Sequence, residues 1–144
     1  IGISQIVGAL LSGSIDQDVL IFSMDENHQF AKEPLVSQEV EITFSLSSGT
    51  QGQPLVKMID INGDAVKDIV YSDGDDLIRT LLATPGQNNP YAKRSQRQKL
   101  AMPKNPYNAA TEDLNGDGKT DLVLHHGSAD SPELLKRVLV LMAN

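Results

Sequence analysis

The chain of 144 residues has 40% hydrophobic residues and a formal net charge of -7, which is typical of a folded globular protein and argues against disorder. The negative charge disfavours a nucleic-acid partner, and the absence of cysteine excludes disulfides, thiolate metal sites and cysteine nucleophiles. Aromatic residues make up only 4%, so the core must consist mainly of Val, Ile and Leu, which favours many short strands.

The N-terminal residues give evidence about membrane insertion and processing of the chain. The longest purely apolar stretches, such as IVGALL from Ile6, fall far short of the roughly twenty residues that cross a bilayer, so no membrane span is expected. The first residue is Ile1 rather than Met, and no leader-like segment precedes it, so we expect the chain to start after a cut. A bacterial secreted protein without disulfides is compatible with this composition.

Three rows of similar sequence follow one another along the chain. The first and second rows are 61 residues apart, as Gly13 and Gly74 show, and the second and third are 53 apart, as Gly63 and Gly116 show. An apolar strand is predicted after each turn glycine, and these strands are DVLIFSMDE from Asp18, LIRTLLAT from Leu77 and RVLVLMAN from Arg137. Gly, Pro, Asn, Asp and Ser separate the predicted strands as turn formers.

The rows also share the strands around these segments. EVEITFSL from Glu39 and QRQKLAM follow in the first two rows, and the strands PLVKMID and PYNAATED lead into acidic loops. SPELLKRVLVLM from Ser131 could begin a helix, but its alignment with two strand segments favours a strand from Val138 to Met142. Four-stranded antiparallel units repeated in series are typical of β-propeller blades.

The two acidic loops share the pattern DxNGDxxxD, and each leads directly into a strand. Oxygen-bearing side chains occupy positions 1, 3, 5 and 9, namely Asp60, Asn62, Asp64 and Asp68 in one copy and Asp113, Asn115, Asp117 and Asp121 in the other. The backbone carbonyl at position 7, of Val66 or Lys119, can complete a ligand shell. Such an all-oxygen, anionic set suits Ca²⁺, whereas zinc would require His or Cys.

The pattern of these loops also occurs in metal-free turns and, in part, in two other calcium-binding motifs. DxNG is also a common turn signal, because Asp and Asn cap turns without any metal, and this alternative stays open. The EF-hand and the dockerin begin similarly, but both need an acidic ligand at position 12 and a helix after the loop. Here position 12 is Tyr71 or Leu124, and a strand follows, which excludes those two motifs.

The acidic loop, the strand after it, a second strand and the turn DENHQFA together resemble the FG-GAP or VCBS repeat, the calcium-bearing blade of integrin-α-like β-propellers. The resemblance covers nearly the whole chain and is closest at the Asp113 loop. It implies that each loop joins the first and second strands of a blade. It also implies that the eight side chains named above hold Ca²⁺ on one rim of the propeller.

The chain departs from this family at two places. Ala65 stands where the family has a glycine, at a position that often needs positive φ, so about 1 kcal/mol of strain is expected there. The first row has Ile1, Ile3 and Val7 where ligands would lie, so no metal is expected in that row.

The sequence thus predicts an all-β chain of four-stranded antiparallel β-propeller blades, in an incomplete propeller of about two to three blades. Residues 1–54 are the rear part of a first blade, 55–107 a complete second blade with calcium loop 60–68, and 108–144 most of a third blade with calcium loop 113–121. Because propellers need about four to eight blades, the chain is expected to belong to a longer propeller or to complete its sheets with another chain.

The resemblance implies a secreted, extracellular or periplasmic scaffold with about two Ca²⁺ sites, serving adhesion, surface assembly or the binding of a protein or glycan ligand. The alternative is an accessory propeller segment of a larger secreted toxin or hydrolase whose catalytic residues lie outside this chain. A lectin of the same fold would repeat aromatic residues between blades, which three Tyr and three Phe support little. No nucleophile elbow or phosphate loop is present, so the chain is not expected to be an enzyme.

Other polar residues give weaker signals. His125 and His126 follow each other at the end of a predicted strand, so they should point to opposite faces, and a surface or rim role is expected for them. The turn SDGDD from Ser72 could add a weak cation site, but a solvated turn is the favoured interpretation.

Overall fold

A computed structural model describes residues 13–43 and 54–144. These residues form nine strands: β1 (Ser14–Ile21), β2 (Val36–Thr43), β3 (Val56–Ile59), β4 (Asp68–Ser72), β5 (Leu77–Leu81), β6 (Gln96–Lys99), β7 (Ala109–Glu112), β8 (Asp121–His125) and β9 (Val138–Leu141). One turn of 3-10 helix lies at Leu134–Lys136. No helix in the described ranges is long and apolar enough to cross a membrane.

The strands form three antiparallel sheets of two, four and three strands, in the orders β1-β2, β3-β4-β5-β6 and β7-β8-β9. Within the described residues every sheet pairs strands that are neighbours in the sequence. The all-β prediction is therefore confirmed. These nine strands do not close into a propeller, and the boundaries between the three predicted units stay predictions.

The predicted strands lie close to the observed ones. A strand at Val138–Leu141 is confirmed, and the helix-like signal before it corresponds to the 3-10 turn. β1 begins at Ser14 and β2 at Val36, earlier than predicted, because both continue as one uninterrupted antiparallel ladder from Ser14 opposite Thr43 to Ile21 opposite Val36. The predictions for Ile1, Ile3 and Val7, and for the IVGALL stretch, lie outside the described residues.

The four-stranded sheet packs with each of the other sheets through a separate hydrophobic core. The first core joins it to the two-stranded sheet and consists of Val36, Val40, Ile69, Tyr71, Leu81, Ala83 and Tyr91. The second core joins it to the three-stranded sheet and consists of Leu55, Ile59, Val70, Ile78, Met102, Ala109, Leu122 and Leu124. The four-stranded sheet therefore lies between the other two.

β4 shows why this sheet occupies the middle. All five of its residues, DIVYS, are buried. Successive side chains of a strand point to opposite faces, so Ile69 and Tyr71 enter the first core while Val70 enters the second. A strand that is apolar on both faces must be covered on both sides, which the two neighbouring sheets provide.

Candidate metal-binding loops

The two acidic loops occupy equivalent places in two sheets. Residues 60–68 connect β3 to β4, and residues 113–121 connect β7 to β8. In each case the aspartate at position 9, Asp68 or Asp121, is the first residue of the second strand. The loops therefore join the first two strands of their sheets, and the structure brings each set of predicted ligands into one nine-residue turn.

The aspartate at position 1 organises each loop through backbone hydrogen bonds. Oδ1 of Asp60 accepts from the N–H groups of Gly63 (2.7 Å) and Asp64 (3.2 Å), and Oδ2 accepts from that of Ala65 (2.8 Å). In the other loop Asp113 accepts from the same three positions at 2.7, 3.2 and 2.9 Å. The two loops thus have the same fold around their first carboxylate.

Positions 3 and 5 are joined in the same way in both loops. The side-chain amide of Asn62 donates to Oδ2 of Asp64 at 2.9 Å, and the N–H of Val66 donates to Oδ1 of Asp64 at 2.9 Å. Asn115, Asp117 and Lys119 repeat these contacts at 3.0 and 2.9 Å. The residue whose carbonyl was predicted as a ligand is therefore held beside the carboxylate at position 5.

The aspartate at position 9 is a buried connection between strands, a role that the sequence did not predict. Asp68 and Asp121 are both 0% exposed. Asp68 accepts from the N–H of Ile61 at 3.0 Å and from that of Ala83, beyond the end of β5, at 2.7 Å. In the third row the Asp121 carboxylate accepts from Leu114 (2.9 Å) and Ala143 (2.8 Å). Each carboxylate thus connects its loop to the segment that follows the third strand of its sheet.

The backbone at position 6 is left-handed in both loops. Ala65 has a φ of 67° and Gly118 a φ of 85°. The predicted positive φ at Ala65 is therefore confirmed, and this alanine carries a strain that glycine avoids. The space around Gly118 is open, since a Cβ built there meets nothing within 4 Å.

Replacing Ala65 with glycine and, separately, Gly118 with alanine is expected to change the free energy of unfolding in opposite directions. Ala65→Gly should raise the free energy of unfolding by about 1 kcal/mol, because it removes the left-handed strain. Gly118→Ala is the matched control and should lower it by a similar amount, through strain alone. Urea denaturation in the presence of a chelator measures both changes. A destabilised Ala65→Gly variant would contradict the assignment of strain to this loop.

The protonation of the loop carboxylates follows their surroundings. Burial raises the pKa of Asp60, but three backbone N–H groups of its own loop outweigh it and leave the pKa below its ordinary value. The N–H of Lys119 and the amide of Asn115 lower the pKa of Asp117. Burial raises the pKa of Asp68, and the nearby charges of Asp64 and Asp60 add to that rise. The lowered pKa values of Asp60 and Asp117 favour the charged form of these two carboxylates.

The donor set is suitable for a hard cation, although its carboxylates point to the backbone. Among the residues of the described ranges, no three His, Asp or Glu side chains converge into a metal-binding group. The position 1 and position 9 carboxylates instead accept N–H groups, as the bonds of Asp60 and Asp68 show. Side-chain and carbonyl oxygens alone make up each loop's predicted set, which fits Ca²⁺ and does not fit zinc.

The two loops also touch each other. The N–H of Thr120 donates to the backbone carbonyl of Asp60 at 2.6 Å. The side chain of Lys119 lies over Gly63, where a Cβ would come within 3.2 Å of its Cγ. The loops are therefore neighbours on one side of the stacked sheets.

The turn SDGDD contains an ion pair that the sequence interpretation missed. Asp73 is 3% exposed, so the solvated-turn interpretation is corrected at this residue. Its carboxylate accepts from the N–H of Thr43 at 2.6 Å and from Nε of Arg79 at 2.5 Å, and so connects the two-stranded and four-stranded sheets. The signal was Arg79 itself, since a charged residue within the apolar strand LIRTL needs a partner.

The adjacent histidines have different surroundings. His125 is exposed at the end of β8, whereas His126 is half-buried. Nε2 of His126 lies 3.2 Å from the carbonyl oxygen of Ala101, beyond the end of β6. Among the described residues Nδ1 of His126 is a buried atom with no hydrogen-bond partner. His126 therefore lies where the four-stranded and three-stranded sheets meet, and a surface role remains only for His125.

Comparisons with known proteins return no match. No protein-family model, no curated protein and no solved structure matches the chain. The case for a function therefore depends on the repeated loops and on the sheets that carry them.

Proposed function

We propose that the chain is a calcium-stabilised segment of an extracellular or periplasmic β-propeller, a scaffold for adhesion, surface assembly or the binding of a protein or glycan ligand. The observation that carries the proposal is the repeated geometry of the two loops. Loops 53 residues apart share one hydrogen-bond pattern, and Ala65 keeps the left-handed backbone of the loop although it lacks the freedom of glycine. The same shape therefore recurs in both loops, even where it strains an alanine.

The charge of the loops supports a cation ligand. Each loop places three carboxylates within nine residues, and like charges at this separation repel each other unless a cation lies between them. Asp60, Asn62, Asp64 and Asp68 with the Val66 carbonyl would hold one Ca²⁺, and Asp113, Asn115, Asp117 and Asp121 with the Lys119 carbonyl would hold the other. The ion would neutralise the repulsion and fix the loop. No residue of this chain is proposed to be catalytic.

The sheets support the propeller part of the proposal. A four-stranded antiparallel sheet packed between two further sheets is the arrangement of consecutive blades. The three sheets, of two, four and three strands, are fewer than the about four to eight blades of a closed propeller. We therefore include, as the expected partner, the rest of a longer propeller or another chain that completes the sheets.

Calcium is expected to stabilise the chain. If the dissociation constant is near ~10⁻⁴ M, as in many extracellular modules, millimolar Ca²⁺ adds on the order of 1.4 kcal/mol per site by mass action. Titration calorimetry should detect about two sites, with the Asp113 loop tighter than the Asp60 loop because Gly118 takes positive φ freely. The melting temperature should rise by several degrees over that in chelator.

Single substitutions test whether calcium binds to the loops and not to other carboxylates on the surface. Asp117→Ala removes a central ligand, so it should abolish the tighter binding event and most of the calcium-dependent gain in melting temperature. Asp76→Ala is the control, because Asp76 is an exposed carboxylate outside both loops. If chelator leaves the wild-type melting curve unmoved and calorimetry detects no Ca²⁺ binding, the loops are turns only and the calcium part of the proposal is wrong.

A further inference from the structure

Two asparagines of the chain are followed directly by glycine, and both lie at position 3 of an acidic loop. They are Asn62 before Gly63 and Asn115 before Gly116, and the sequence has no other Asn-Gly pair. Asparagine deamidates most easily before glycine, because glycine has no Cβ to hinder the approach of its nitrogen to the asparagine side chain. Both asparagines are exposed, so water reaches them. The two loops therefore contain the bonds of this chain that are most prone to deamidation.

The reaction consumes water and releases ammonia. The backbone nitrogen of the glycine loses its proton and attacks Cγ of the asparagine, and the new C–N bond closes a succinimide ring. The bond from Cγ to the side-chain nitrogen breaks, and that nitrogen leaves as ammonia with the proton. Water then opens the ring at either carbonyl, which gives aspartate or isoaspartate. The glycine N–H and the asparagine amide must therefore both be free before the ring can close.

The aspartate at position 1 holds the attacking nitrogen in both loops. The N–H of Gly63 donates to Oδ1 of Asp60 at 2.7 Å. The N–H of Gly116 donates to Oδ1 of Asp113, also at 2.7 Å. Hydrogen bonds to a carboxylate are stronger than those between neutral groups. The nearby anion also disfavours the negative charge that develops on the nitrogen as its proton leaves.

The asparagine side chain is held at both of its polar atoms. Nδ2 of Asn115 donates to Oδ2 of Asp117 at 3.0 Å, and Oδ1 of Asn115 accepts the N–H of Asp117 at 3.1 Å. The corresponding contacts between Asn62 and Asp64 are 2.9 and 3.2 Å. Ring closure would break both contacts, because it removes the side-chain nitrogen and draws Cγ to the glycine.

We propose that Asn62 and Asn115 are sites of spontaneous deamidation, and that the aspartates at position 1, Asp60 and Asp113, retard the reaction by holding the glycine N–H. The protection belongs to the folded loop, so it is lost whenever the loop opens. An aspartate formed at position 3 would face the carboxylate at position 5, where an amide had donated, and the two charges would repel each other. Isoaspartate would add a methylene to the backbone and displace the N–H groups that position 1 accepts. Neither the sites nor their protection depend on calcium.

Ageing of the full chain in chelator at mildly alkaline pH tests the proposal. Mass spectrometry of tryptic peptides separates the two sites, because Lys67 lies between them. Both asparagines should deamidate at least about tenfold more slowly in the folded chain than in the chain unfolded by urea. Hydrogen exchange of the Gly63 and Gly116 amides should be slowed as well, since exchange and deamidation both require release of the N–H.

Substitution of one aspartate at position 1 leaves the other loop as an internal control. Asp113→Ala should speed deamidation of Asn115 by about fivefold or more, because a hydrogen bond to the attacking nitrogen is lost, and should leave Asn62 at its wild-type rate. Asp60→Ala should have the reverse effect. Asp113→Asn keeps an acceptor oxygen for the glycine N–H and should restore most of the protection of Asn115.

The proposal is overturned if the folded wild-type chain deamidates at both sites as fast as the unfolded chain, if another asparagine reacts first, or if Asp113→Ala and Asp113→Asn react equally fast at Asn115. An Asp113→Ala chain in which Asn62 is accelerated as much as Asn115 has unfolded. Amide exchange of the wild-type glycines then decides, and exchange as fast as in the unfolded chain would also overturn the proposal. A chain that protects both sites and binds no Ca²⁺ would lose only the calcium part of the proposed function.

Discussion

Asp121→Ala is expected to lower the free energy of unfolding by about 3–5 kcal/mol. The carboxylate is 0% exposed and accepts the N–H groups of Leu114 and Ala143. Alanine leaves both donors without a partner inside the protein, and each unsatisfied buried donor costs about 1–3 kcal/mol. The loss of the side chain adds a small cavity. Urea denaturation in chelator measures the change without any contribution from bound calcium.

Two further variants control this experiment. Asp121→Asn keeps one acceptor oxygen, so its loss of stability should lie between those of the wild type and the alanine variant. Asp117→Ala, in the same loop but exposed, should cause a much smaller loss in chelator. Equal losses for Asp117→Ala and Asp121→Ala would mean that the loop as a whole, and not the buried connection to β9, determines the stability.

Asp73→Ala is expected to lower the free energy of unfolding by about 3–5 kcal/mol, because removing one partner of a buried ion pair leaves the other charge uncompensated. Arg79 loses its carboxylate partner, and the N–H of Thr43 loses its acceptor. Since Asp73 connects two sheets, the two-stranded sheet should also open more easily, seen as faster amide exchange in β1 and β2. Asp76→Ala, in the same turn but exposed, is the control.

The contribution of Asp73 to the free energy of unfolding should decrease in acid. Burial raises its pKa, but the hydrogen bonds from Thr43 and Arg79 outweigh burial and leave the pKa below its ordinary value of 3.8. A lowered pKa in the folded state means stability that is present above 3.8 and is lost as the pH falls through the folded value. The difference between wild type and Asp73→Ala should therefore be constant near neutral pH and shrink in acid. A difference that grows in acid would contradict this assignment.

The strands were predictable where the pattern is local. β5 and β9 are short apolar runs that follow turn glycines. Their equivalent places in the rows correctly predicted a strand at Val138–Leu141, although the segment from Ser131 could also begin a helix. The starts of β1 and β2 were missed because their first halves, SIDQ and VSQE, each contain a single apolar residue, which is too few to show an alternation. Those residues are strand because they pair with each other in the ladder from Ser14 to Ile21.

The loops were predictable in position and in backbone shape, including the positive φ of Ala65, because these depend on residues within the loop. The partners of Asp68 and Asp73 were not predictable. Asp68 bonds to Ala83 and Asp73 to Thr43, which are distant in the sequence and come close only when strands pair and sheets stack. A hint was present in the acidic residue that begins both DIVYS and DLVLH, at a position where each copy enters a buried strand.

The pairing of sequence neighbours has a consequence for how the chain folds. Among the described strands no pairing skips over another strand, so each sheet closes through short connections. Folding rates fall as the mean sequence separation of contacts rises, and most all-β proteins are slow for that reason. In this chain each sheet can form from its own stretch of sequence. Only the packing of one sheet on the next requires distant segments to meet, and the four-stranded sheet offers a surface to both neighbours as soon as it forms.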